Sequence, residues 1–351
     1  MSVLGERIGN GTYPPGGALP SERELTGEFG VSRVTVRNAI ERLETQRLVA
    51  RAPGRGTYVR GSDAPAPAPA VGSVALVSSQ LTPSVASPIA AGCSSAALAH
   101  RVQLLLCDTG GSSFAEAHAK ELLHLRALQE QGVGGVILWW QGGEASVPVL
   151  ERMVAEGVAV VFVDRFREGL NADCVGIDDA AGACAAVRHL IGLGHRRIGC
   201  VVHSLAVSTS LGRLEGYRQA MRAADLPCGD DCVMVVDEGR AGVGGRAADR
   251  FLGLPEPPTA LLIVNDFVAV EIIEALAERG VRVPEDLATV SFADMEVARH
   301  FRVPLTTVHQ PFRSIGETAV YLVCERIETG RTAPKRVTLP TSIIVRRSCG
   351  R

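Results

Sequence analysis

Two hydrophobic rhythms divide the chain. From Ser73 onward, apolar runs recur at the spacing of strands separated by helices: SVALVS (73–78), VQLLLC (102–107), GVILWW (135–140), VAVVFVD (158–164), RIGCVV (197–202), VMVV (233–236), TALLIV (259–264) and LATVSF (287–292). Unbroken Val/Leu/Ile runs suit strands covered on both faces. Their alternation with segments of helical length predicts an α/β fold with a parallel sheet. Ligands of such sheets bind beyond the carboxyl ends of the strands. That singles out the positions just after the runs: 79–84, 139–141, 164–166, 265–267 and 293–294.

Ahead of Val59 the rhythm is helical instead. Ser21 followed by Glu24 forms a capping box, and Gly30 supplies the left-handed stop. Only Val31 separates Gly30 from Ser32, a second N-cap opening a helix from Arg33 to about Thr45. Val36, Ala39, Ile40 and Leu43 fall on one side of that helix and can pack on the first, a helix-turn-helix arrangement. Arg33 and Arg37 flank this stripe near the N-terminal end, where such helices reach base edges in the major groove. Apolar segments 48–51 and 57–59 surround Pro53-Gly54-Arg55-Gly56, predicting a β-hairpin wing with Arg55 at its tip. The segment GSDAPAPAPAV (61–71) then reads as an extended spacer of roughly 20–30 Å, too Pro-rich for helix or sheet.

Charge sharpens this division. Residues 1–60 carry nine arginines, no lysine and six glutamates in a chain whose net charge is −2, so a small basic module sits on an acidic body. The nine cysteines include no C-x-x-C pair and several lie inside apolar runs, which reads as free, mostly buried thiols in a reducing cytoplasm. Neither a charged-then-apolar leader nor an apolar run near 18 residues is seen, so no signal peptide or membrane span is expected. No nucleophile–base order, phosphate-cradling glycine loop or H-E-x-x-H is found, so no catalytic residue, cofactor or metal is expected. His195, in LGHRR, is expected to cap a helix end beside Arg196 and Arg197. Trp139 and Trp140 stand together at a strand end, and adjacent strand residues point to opposite sides. One is placed toward a cleft and the other in the core, with core filling by both as the alternative.

The run G-x-Y-x-P-G-x-x-LPSERELxxxFGVSRxTVRxAIxxL…RGTYV, on Gly11 to Val59, resembles the winged helix-turn-helix of the GntR family of bacterial regulators. The resemblance covers nearly all of residues 4–59. It implies DNA contacts at Arg23, Ser32, Arg33, Thr35 and Arg37, with Gly54 and Arg55 in the wing. The first helix departs from the pattern, offering only Leu4 to Asn10 before the Gly11-Thr12-Tyr13 turn.

Residues 72–348 resemble the effector domain of LacI-type repressors, which is built like the type I periplasmic sugar-binding proteins. The segments that carry this are FVDR (162–165), VGIDDAAGACAAVRHLIGLGHRRI (175–198), RLEGY (213–217), VND (264–266), RGVRVPEDLATVSF (279–292), LTTVHQP (305–311) and LPTSIIVRRS (339–348). A GntR head on such a body is similar to the AraR-type arabinose regulators. The fold implied is two similar lobes joined by three crossovers, with a ligand between them. The cleft positions implied are Asp164, Arg165, Arg213, Asn265 and Asp266, joined by Trp139 and Asp294. Guanidinium and amide groups suit paired hydrogen bonds to vicinal hydroxyls, and carboxylates accept from them. Two departures stand out. Ala293 replaces the first of a frequent pair of carboxylates, so one sugar contact is missing, and His203-Ser204-Leu205 lacks the usual glycine-rich loop.

The expectation is therefore a cytoplasmic transcriptional repressor in three parts: a winged-helix domain (1–60), an Ala/Pro linker (61–71) and a two-lobed effector and dimerisation domain (72–351). Its expected partners are operator double-stranded DNA, a small sugar-like effector and a second copy of itself, with no membrane. A solute-binding receptor for carbohydrate, without DNA binding, is the alternative.

Overall fold

The computed structural model describes residues 3–9, 11–14, 16–45, 48–52, 56–59, 72–79, 86–111, 113–236 and 242–350. The chain divides into two compact units, Met1–Ala68 and Pro69–Arg351.

In the first unit, helices α1 (Val3–Gly9), α2 (Glu22–Phe29) and α3 (Arg33–Thr45) precede an antiparallel pair, β1 (Val49–Ala52) and β2 (Gly56–Val59). The capping box forms at Ser21, and Gly30 adopts φ 64°. Leu4, Leu19, Leu25, Val36, Ile40, Leu43, Val49 and Val59 close a small core. The short α1 is held from outside by Arg7, which pairs with Glu28 and lies 4.7 Å over the Phe29 ring. The wing tip, including Gly54 and Arg55, and the expected linker (61–71) lie outside the described residues.

The second unit contains two lobes. The first begins with β3 (Ser73–Ser78), α4 (Ala86–His100), β4 (Gln103–Asp108), α5 (Phe114–Gln131), β5 (Gly135–Leu138), α6 (Val147–Ala155), β6 (Ala159–Val163) and β7 (Asp173–Ile177). The second follows with α7 (Asp179–Gly192), β8 (Ile198–His203), α8 (Ser208–Ala223), β9 (Val233–Val236), α9 (Val243–Leu252), β10 (Ala260–Ile263), α10 (Asp266–Glu278), β11 (Ala288–Ala293), α11 (Glu296–His300) and β12 (Thr306–His309). The chain returns to the first lobe as α12 (Phe312–Thr329) and β13 (Arg336–Leu339), then crosses again to place β14 (Ser342–Ile344) in the second. The sheets run β13-β7-β6-β5-β3-β4 and β14-β12-β11-β10-β8-β9. Every pairing within them is parallel except β12 with β14.

The structure corrects the hydrophobic reading in three places. Strand β4 is an edge strand, not a strand covered on both faces, and Leu106 is 55% exposed. The run pattern lacked β7, β12, β13 and β14, which are three to five residues long. Strand β7 opens on a buried acid: Asp173 accepts from Arg326 at 3.1 Å, from Arg331 at 2.7 Å and from the Lys335 amide at 2.7 Å. This cluster pins the returning α12–β13 segment to β7, so an ion pair stands where an apolar residue was sought. The His195 amide donates to the Leu190 carbonyl at the end of α7 at 3.2 Å, but its side chain does not cap the helix. It meets Thr259 Oγ1 at 2.9 Å, while Arg196 donates to the Ile191 carbonyl at 3.0 Å.

Helix α12 packs on α4 across two glycines. A Cβ on Gly316 would sit 2.2 Å from the Ile89 carbonyl oxygen, and one on Gly92 would sit 2.0 Å from that of Arg313. Both obstacles are backbone, so the helices must separate to admit a methyl group. Gly316→Ala is expected to lower stability by roughly 1–3 kcal/mol, read as a shift in the urea midpoint at unchanged m-value.

Candidate functional site

Two surfaces gather the residues singled out above. On the first unit, Arg23, Ser32, Arg33, Thr35 and Arg37 are all exposed. The Ser32 hydroxyl accepts from the Thr35 amide at 3.1 Å and shares a hydrogen bond with its hydroxyl at 2.9 Å, fixing the first turn of α3. The Arg37 guanidinium reaches back to Glu22 on α2, at 3.4 Å through Nε and 3.2 Å through a terminal nitrogen. That bond, with the charge behind it, raises the Arg37 pKa above its ordinary value. Val34, between these polar residues, is 68% exposed, so the face carries guanidinium, hydroxyl and methyl groups together.

In the second unit, the carboxyl ends of both sheets face the seam between the lobes. Asp164 and Arg165 follow β6, Trp139 to Gln141 follow β5, Asn265 and Asp266 follow β10, and Asp294 follows β11. Three residues here hold left-handed backbone without being glycine: Asp164 (φ 63°), Ala293 (φ 117°) and Asp294 (φ 59°). Such conformations cost energy for residues with a Cβ and concentrate at binding sites.

A hydrogen-bonded chain crosses the seam. Gln310, in the crossover after β12, donates to Asp164 Oδ1 at 2.8 Å and accepts from Arg213 at 3.3 Å. Arg213 also donates through Nε to Asp179 at 2.8 Å and to the Val264 carbonyl at 2.5 Å, and it lies 4.3 Å over the Phe292 ring. It is 5% exposed, hence a buried strut. Burial pushes the Asp179 carboxyl up, against the opposing pull of Arg213 and helped by Asp164.

The remaining expected residues separate. Arg165 lies 5.3 Å over the Trp139 ring and 3.9 Å from Asp164. Both tryptophans are buried, Trp139 against Ala293 and Phe312 and Trp140 against Phe162, so core filling by both is the observed arrangement. Asn265 caps α10 through the Val268 amide at 2.9 Å and meets His203 at 3.0 Å. Asp266 does not face the seam. It is fully buried, accepting from Ser291 (2.5 Å), Thr307 (2.8 Å) and the Met295 amide (2.7 Å). Asp294 lines a cavity, yet its carboxylate already meets Arg346 (2.5 Å), Arg299 (3.3 Å) and His309 (3.2 Å). Burial works to raise its pKa, and these three donors outweigh it and hold the group low.

The sequence reading missed Gln310, Asp179 and Glu121. Gln310 and Asp179 each lie at a crossover, which was the available signal. Glu121 sits fully buried on α5 and accepts from the Gln141 amide at 3.0 Å. Burial raises its pKa, and nothing in the local sequence marks it.

Asp266 makes a pH test. Burial lifts its carboxyl to about 6, against hydrogen bonds from Ser291, Met295 and Thr307. A raised acid stabilises the fold below its unfolded pKa and loses that contribution as pH climbs through the folded value. The margin of wild type over Asp266→Asn is therefore expected to shrink by about 2–3 kcal/mol between pH 4 and pH 7, measured by urea unfolding at each pH.

Comparison with known proteins agrees with this architecture. Residues 3–59 match the model for bacterial regulatory proteins of the gntR family, and residues 187–349 match a periplasmic binding protein-like domain. The transcriptional regulator DegA of Bacillus subtilis is 30% identical over 248 residues, 70% of this chain and 71% of the relative. The transcriptional repressor PurR of Vibrio atlanticus is 30% identical over 226 residues, 64% of this chain and 65% of that relative's length. Among solved structures, a CelR–cellobiose complex superposes with a TM-score of 0.68 at 25% identity, covering 94% of this chain and all of that one. The chain belongs to the LacI/PurR/DegA-type family of transcriptional regulators, with a GntR-type winged helix as its head.

Proposed function

We propose that this protein is a ligand-responsive repressor, binding operator DNA through α3 and the wing and a small carbohydrate-related effector between its lobes. The carrying observation is the Asp164–Gln310–Arg213–Asp179 chain, which joins both lobes at the seam. Each member exchanges hydrogen bonds readily with a hydroxylated ligand, and a ligand replacing Gln310 would reset the lobe-to-lobe bridge. The cellobiose bound by the solved relative supports a sugar-like effector. Arg23, Ser32, Arg33, Thr35 and Arg37 form the DNA-facing set, with Gly54 and Arg55 as the wing contacts. Asp164, Arg165, Arg213 and Asn265 are the effector-facing set, backed by Trp139 and Asp294, whereas Asp266 acts through the loop it holds. Such a protein works in the cytoplasm, where its DNA is.

One short winged domain makes few contacts, so useful affinity calls for two heads on one operator. Leu98 on α4 (83% exposed), Leu106 on the β4 edge (55%) and Tyr321 on α12 (52%) are large apolar side chains left open on the first lobe, and pairing two bodies would cover such surface. The experiment is a gel shift on the DNA upstream of the coding sequence, with and without candidate sugars, alongside sedimentation of the same samples. A dimer that binds specifically and answers to one sugar is expected. A monomer that binds sugar and ignores DNA would establish the receptor alternative instead.

A further inference from the structure

The seam widens on one side into a cavity of about 660 Å³, bounded by the start of α4, the first turn of α10, the loop after β11 and the start of α12. It reaches Gln310 and so continues from the polar chain that bridges the lobes. Its chemistry differs from that chain. Pro88, Phe267, Ala293, Met295 and Phe312 form an apolar side of its lining, and Phe267 is 39% exposed. An aromatic ring in the first turn of a helix beside an open cavity gains by being covered.

The charged groups on the cavity's other side are already paired, Glu296 with His300 at 3.1 Å and Arg313 with Glu317 at 3.1 Å. Asp294 is already filled by Arg346, Arg299 and His309, and Ala293 stands where the resembled family places another carboxylate. Sugar hydroxyls entering this end would lose water and have to compete with these pairs for partners, a desolvation penalty. A flat apolar ring would instead stack on Phe267 and meet Met295 without that penalty. Resting on the carbohydrate reading above, we propose that the effector is a glycoside with an aromatic aglycone: its sugar at Gln310, Asp164 and Arg213, its planar ring against Phe267 and Met295. An aryl hexoside and a nucleoside share that chemistry.

The test measures affinities of the full chain by calorimetry for matched pairs: glucose and phenyl glucoside, ribose and adenosine, with cellobiose as the hydroxylated two-ring control. At least one aromatic member is expected to bind roughly tenfold or more tighter than its free sugar and than cellobiose. Phe267→Ser is expected to collapse that ratio toward one, and Met295→Gln to reduce it, each checked for native circular dichroism. A preference for the phenyl compound identifies an aryl glycoside, and one for adenosine a nucleoside. Free sugars or cellobiose binding as tightly as the aromatic members would overturn the aglycone subsite and leave the carbohydrate reading standing. An undiminished ratio in both variants would overturn it equally. Failure of every probe to bind would remove the carbohydrate reading itself, and this inference with it.

Discussion

Arg213→Ala is expected to destabilise the effector domain by about 3–5 kcal/mol, the usual cost of leaving a buried charge without its partner. The guanidinium is the cation between Asp179 and the Gln310–Asp164 arm, and it also satisfies the Val264 carbonyl. Without it, two carboxylates and a carbonyl stay in the seam with a cavity between them. Urea unfolding followed through Trp139 and Trp140 fluorescence measures this directly, and an unchanged midpoint would show that the strut carries no stability. The variant is therefore a poor probe of effector binding taken alone. Gln310→Ala removes a neutral group from the same chain and is the cleaner partner experiment. It is expected to alter effector affinity with a much smaller shift in the urea midpoint.

The second large effect concerns the head. Arg33→Ala/Arg37→Ala is expected to weaken operator binding by at least 10- to 100-fold, the loss associated with one good bidentate base contact. Both side chains are exposed, so folding of the head should survive. Arg37 adds a distinct expectation, because Glu22 holds it in the free protein. Glu22→Gln should leave Arg37 less constrained, tightening general DNA binding while reducing discrimination between sequences. Fluorescence anisotropy on operator and scrambled duplexes, at two salt concentrations, separates the two quantities. Equal binding by the double variant and wild type would remove α3 from the interface.

Much of this architecture was legible because its signals are local. Ser21, Glu24, Gly30 and Ser32 act within four residues of their partners, so two helices and their tight turn could be read directly from the chain. The eight apolar runs found eight strands, though β4 lies at an edge where one face needs no cover. What escaped depends on residues far apart in sequence. Asp173 opens β7 because Arg326 and Arg331, more than 150 positions later, neutralise it. Asp266 looked like a cleft acid in VND and proved a buried brace, since Ser291 and Thr307 arrive from two other strands. The tryptophan pair was read from strand alternation, yet both rings are buried, each face of the sheet having its own core. Gln310 sits between β12 and a proline, and only the second lobe's arrival shows what its amide bridges.

The path of the chain between lobes also orders events during synthesis. The first lobe begins at β3, but its sheet gains β13, and one of its faces gains α12, only after β8 to β12 of the second lobe have been translated. A nascent chain halted before about Phe312 would carry a head with its own complete core, joined to a first lobe that still exposes Val161, Val163 and Val175 where α12 belongs. Truncated or stalled products would thus retain the DNA-facing helix while their ligand-binding half invites chaperones and proteases. Quality control of this protein rests on α12 and β13 rather than on the module that emerges first.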